Sequence, residues 1–181
     1  MVIVLNGLDN YEKHTLINDI PNQIGITPTS TTKKNFHDVY IFGYMDAIKA
    51  IAKAGGWLDD YSDKGKTLLN RLKIAFENYN NTPLEIIKRY VLFYTSPNNS
   101  KVHKTEPICF VCVTETEDIR KIVNEFKKLN IKTATMFITD ESSEDDCLDY
   151  AYDYVFIDKK DDLLESAFNM FIEYIVRENL Y

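Results

Sequence analysis

Apolar residues along this chain follow two alternating periodicities. Near-continuous apolar runs occupy residues 2–5, 39–42 and 108–113, with shorter mixed runs at 132–138 and 154–157. Runs of this length, rich in β-branched and aromatic residues, predict buried strands. Between them apolar positions recur every three or four residues, the period of an amphipathic helix. One such segment starts near Asp46, with Ile48, Ile51, Ala52 and Ala54 on one face, Gly55-Gly56 as its stop and Trp57 packed behind. A second starts at Ser62 and carries Leu68, Leu69, Leu72, Ala75, Phe76 and Tyr79. Thr82-Pro83-Leu84-Glu85 opens a third that runs to about Tyr94, with Thr82 as cap, Pro83 at the first helical position and Glu85 completing a capping box. Helical patterns also cover residues 16–20, which Pro21 stops, 117–129 and 161–178, while 21–32 and 95–107 read as loops. Strands alternating with helices predict an α/β fold with a mostly parallel central sheet flanked by helices and right-handed crossovers. Ligands in such sheets bind at the carboxyl ends of the strands. That edge would carry residues 7–13, 114–116 and 139–149.

Composition narrows the setting. A chain of 181 residues with 45% hydrophobic and 13% aromatic content suits one globular domain with a sizeable core. A net charge of -7 and a pI near 5.0 argue against a general nucleic-acid binder. No apolar run is long enough to span a membrane, and the first residues lack a signal-peptide pattern, so a cytoplasmic location is expected. The 3 cysteines cannot build a disulfide framework. Cys109 and Cys112 form C-x-x-C, but within a strand residues three apart point to opposite faces, which predicts buried core thiols. His14, His37 and His103 stand apart from any metal-ligand pattern.

The first sixteen residues, MVIVLNGLDNYEKHTL, hold the most suggestive chemistry. A strand, a short loop beginning at Gly7, then Lys13 leading into a helical pattern is the layout of a phosphate-binding P-loop. Gly7 and Lys13 have the separation of G-x-x-x-x-G-K-[ST]. Glu12 replaces the second glycine and His14 the hydroxyl residue, leaving Thr15 one position late as a Mg²⁺ ligand. A phosphate cradle works because inward-turned backbone N–H groups meet the anion at a helix N-terminus. Glu12 and Asp9 place negative charge there, each opposing a phosphate by about 1 kcal/mol at 4 Å even in bulk water. The same residues also read as a strand, turn and helix with no ligand.

Several segments together resemble the bacteriophage-type deoxynucleoside monophosphate kinases, a branch of the P-loop nucleotide kinases. These are Glu12-Lys13-His14-Thr15, FGYMDAIKAIAKAGGW at 42–57, DKGKTLLNRLK at 63–73, ENYNNTP at 77–83, ICFVCVTETEDIRK at 108–121 and YDYVFID at 152–158. The resemblance implies a three-layer P-loop kinase-like fold over the whole chain. Residues about 33–107 would form a helical monophosphate-side insertion and about 139–149 a short acidic lid-like loop. It further implies Lys13 as the catalytic residue, with Gly7, Lys13, Thr15, Asp46, Lys66, Arg71 and Arg89 as nucleotide contacts. Asp63 lies on the same monophosphate side.

The departures bear on activity. Thr114 stands where the family places an arginine at the end of its central strand, and residues 133–158 contain no Lys, Arg or His. Phosphoryl transfer relies on cations around the transferred group, and one arginine contributes roughly 10³–10⁵ in rate. Three readings follow. The first is a catalytically degenerate, phage-derived pseudoenzyme that binds or sequesters a nucleotide or acts through protein contacts. The second is an active kinase using ATP and Mg²⁺, with Lys13 on the phosphates, Thr15 on the metal, and Lys33, Lys34, Arg71 and Arg89 supplying charge. The third is a protein-interaction module with no nucleotide role, its exposed tyrosines serving as contacts. The partners implied are a nucleotide or nucleotide-like small molecule, a second copy of the chain or another protein, and neither nucleic acid nor a membrane.

Overall fold

The apolar runs pair into one five-stranded, all-parallel sheet in the order β2-β3-β1-β4-β5. In this computed structural model the described residues are 1–7, 39–96, 107–140 and 150–158. The strands are β1 (Val2–Gly7), β2 (Val39–Gly43), β3 (Ile108–Cys112), β4 (Thr133–Asp140) and β5 (Tyr154–Asp158). The described helices are α1 (Asp46–Ala54), α2 (Asp63–Asn80), α3 (Thr82–Thr95) and α4 (Thr116–Lys128). Val2 pairs with Cys109 on one side and Thr133 on the other, which places β1 in the centre.

Alternation along β1 and β3 explains their unbroken apolar runs. Val2, Val4, Cys109 and Val111 pack against Leu84, Ile87 and Val91 of α3 and Ile119, Ile122 and Phe126 of α4. Ile3, Leu5 and Phe110 project to the opposite face and are equally buried. A sheet sealed on both faces makes a three-layer α/β fold, with the strand order of P-loop proteins. Cys109 belongs to the first face and burial pushes its thiol up to about 11, while Cys112 is buried outside that cluster. Both are buried core thiols outside any disulfide, as the strand spacing predicts.

A smaller core forms where α1 meets α2, from Ile48, Ala52, Trp57 and Leu69. Ser62, the expected start of this segment, caps α2, its hydroxyl accepting from the Gly65 amide. The chain stops α1 through Gly55 and then Gly56, the latter at φ +94.

Two expectations are corrected. Thr82 does not cap α3. The capping position is Asn81, in the left-handed region at φ 54, and no side chain bonds the exposed amides. Only Asn81 separates α2 from α3, so it must turn the chain by itself, and the extended backbone that a side-chain cap needs is unavailable. The Thr82 hydroxyl bonds Asn80 instead, and Glu85 pairs with Lys88 rather than reaching back. The buried stripe of α2 also differs from the expected one. Leu68 and Tyr79 are exposed, whereas Gly65, Leu69 and Lys73 are buried. The helix presents the side nearest α1 and α4, and that side includes a lysine.

Candidate site at the carboxyl edge of the sheet

From β1 the chain crosses toward the β2 edge, whereas from β3 it crosses over β1 to β4. Connections that leave neighbouring strands in opposite directions open a crevice outside their carboxyl ends, the usual ligand position of such sheets. Gly7 borders this crevice from β1. Its φ is +98, and a Cβ there would lie 1.7 Å from the Ile138 carbonyl oxygen of β4. Only glycine fits, for both reasons. Val113 borders it from β3, its amide donating to the Leu5 carbonyl at 2.9 Å, and leads to exposed Thr114 and Glu115.

At the end of β2, the Gly43 amide donates to Asp46 Oδ2 at 2.8 Å and the Tyr44 amide to the Cys112 carbonyl at 2.9 Å. Asp46 is therefore the first helical residue of α1, with its carboxylate turned back onto the preceding loop. Lys49, Asp46, Gly43 and Thr114 line a small pocket at this point.

Behind the edge lies a charged cluster that periodicity did not reveal. The Lys73 ammonium, on a side chain 4% exposed, sits 2.7 Å from Asp118 Oδ2 and 2.6 Å from Glu115 Oε2. Lys121 holds Glu77 at 3.0 Å and Asp118 at 3.4 Å. The buried Tyr44 hydroxyl donates to Glu77 at 3.3 Å, and the Lys73 ammonium lies 5.7 Å from the Tyr44 ring centre. Asp118 lies in the first turn of α4, where the helix dipole favours negative charge. Burial works to lower the Lys73 pKa, but the hydrogen bonds it donates to Asp118 and Glu115 prevail and the ammonium titrates above its ordinary range. Burial raises Asp118 despite Lys73. Burial first, then the charges of Asp118 and Glu77, raise Tyr44. Buried charges of this kind are tolerable only when paired and hydrogen-bonded. Among the described residues no group of His, Cys, Asp and Glu could hold a metal ion.

The expected site residues fall in separate places. Gly7 and Asp46 share the carboxyl edge, with β3 between their strands. Lys66, Arg71 and Arg89 are exposed, the first two on α2 and the last on α3. Arg71 flanks an open groove of about 600 Å³ together with Trp57, Asp63, Lys64 and Leu68. Lys13, Thr15, Glu12, His14, Lys33 and Lys34 lie outside the described residues, as do the 16–20 and 161–178 helical patterns and the acidic stretch 141–149.

The cluster did leave a trace in the sequence. Lys73 is four residues beyond Leu69 and four before Glu77, so it interrupts a helical stripe with a charge. Asp118 likewise abuts Ile119 on the inner face of α4. No family model matches the chain, and no curated protein matches it.

Proposed function

We propose that this protein is a nucleoside monophosphate kinase-like protein, of the bacteriophage deoxynucleotide type, that binds a nucleotide at the carboxyl edge of its sheet without efficient phosphoryl transfer. The observation that carries the reading is Gly7. It is confined to a glycine-only conformation at the end of the central strand, beside the crevice of a P-loop-like sheet, and Lys13 follows at P-loop spacing. Loss of catalysis is supported by the surroundings. Thr114 brings no charge where the kinases this chain resembles place an arginine that assists transfer.

Nucleoside mono- and triphosphates should therefore raise the melting temperature, by the equivalent of about 2.7 kcal/mol at 100 times the dissociation constant. A panel of monophosphates with ATP and Mg²⁺ should show no turnover. Turnover that Lys13→Ala abolishes would instead make the protein an active kinase. Absence of any nucleotide-induced shift would remove the nucleotide reading and favour an interaction module, for which Tyr79, Tyr90 and Phe93 are among the exposed aromatic residues.

A further inference from the structure

The Lys73 cluster has one asymmetric member. Asp118 is 2% exposed and held by both Lys73 and Lys121, so it cannot leave without stranding a buried charge. Glu77 is tied to Lys121 and Tyr44. Glu115 differs. Its side chain is 56% exposed, it precedes the first turn of α4, and it makes no side-chain bond to the helix amides. Its carboxylate nevertheless contacts the most buried ammonium of the cluster at 2.6 Å. One solvent-facing acid, two residues beyond Val113 at the carboxyl edge, thus stoppers a buried cation.

We propose that Lys73 is a latent oxyanion site and that Glu115 is its displaceable plug, exchanged for a phosphate group when ligand enters the crevice. The charge count favours exchange over simple addition. Lys73 and Lys121 face Glu77, Glu115 and Asp118, so an anion that joined the cluster would meet an existing excess of negative charge. A phosphate that takes the place of Glu115 retains the pairing of Lys73 and releases the glutamate to water, where a carboxylate is well solvated. Glu115 is half exposed and regains full hydration on leaving, and Lys73 keeps Asp118, so opening the plug costs less than disturbing Asp118. This inference deepens the nucleotide reading and rests on it only for the identity of the phosphate carrier.

The test is titration of inorganic phosphate, adenosine 5′-monophosphate and adenosine into the wild-type protein, Glu115→Ala and the double variant Glu115→Ala/Lys73→Met, followed by calorimetry. Glu115→Ala should bind inorganic phosphate at least ten-fold more tightly than wild type, and the double variant should lose that gain. Equal phosphate affinity in wild type and Glu115→Ala would overturn the plug, and a gain that survives loss of Lys73 would overturn the site. Should the double variant fail to fold, the ¹⁵Nζ resonance of Lys73 in Glu115→Ala decides. A shift on adding phosphate supports the proposal, and an unmoved resonance overturns it. The monophosphate arm separates the two readings, because adenosine monophosphate that binds no better than inorganic phosphate defeats the nucleotide reading while leaving the oxyanion site intact.

Discussion

At the scale of single residues, Lys73 and its partners dominate. Removing one member of a buried ion pair leaves an uncompensated charge, which typically costs 3–5 kcal/mol. Lys73→Met should therefore lower stability by about that amount in denaturant titration, since Asp118 remains 2% exposed. Adding Asp118→Leu should recover part of the loss, and a double variant less stable than Lys73→Met would contradict this assignment. The same residues set the alkaline limit. Tyr44 and Lys73 both titrate above their ordinary values of 10.0 and 10.5 in the folded protein. Once pH exceeds those values the unfolded chain releases protons that the folded chain keeps, so stability is intact below about pH 10 and declines above it. Each group contributes a slope of up to about 1.4 kcal/mol per pH unit. Melting curves between pH 9 and 11 should show the decline, and Tyr44→Phe should make it shallower. An unchanged slope in that variant would exclude Tyr44.

Elements were legible where local chemistry acts alone. The sequence places the start of α2 at Ser62, and there the Ser62 hydroxyl accepts from the Gly65 amide. Ser62→Ala should cost about 1 kcal/mol, the usual worth of such a cap. Thr82→Ala should cost less than about 0.5 kcal/mol, as a surface change that removes no cap. Equal losses at the two positions, measured by chemical denaturation, would show that the Asn81 junction is wrongly described. The capping box was misread because its signature is local, whereas the spacing of α2 and α3 is not. With one residue between two helices, Asn81 adopts φ 54 and the cap geometry is lost. Helix faces were likewise only partly legible. Periodicity marked Leu69 correctly, but it also marked Leu68 and Tyr79, which the neighbouring helices leave exposed.

For the molecule as a whole, the close approach of β1 and β4 is decisive. Gly7→Ala must place a methyl group against the Ile138 carbonyl and hold alanine at φ +98. Strain of about 1–3 kcal/mol from the backbone and a similar cost from overpacking give a loss of about 2–6 kcal/mol. A drop in the unfolding midpoint of that size is the expected outcome, and a neutral substitution would remove the constraint on which the crevice depends.

The sequence by itself determined the α/β class, the parallel strands and the described helices, because each follows from periodicity and from local stop signals. It also marked Gly7, through its spacing to Lys13 in the first loop. Strand order, the partner of Gly7 and the meeting of Lys73 with Asp118 and Glu115 were decided only in three dimensions. Those contacts join residues as far apart as 7 and 138, or 73 and 118. No spacing rule connects such positions, since their proximity comes from how the crossovers stack α2 and α4 and place β1 at the centre of the sheet.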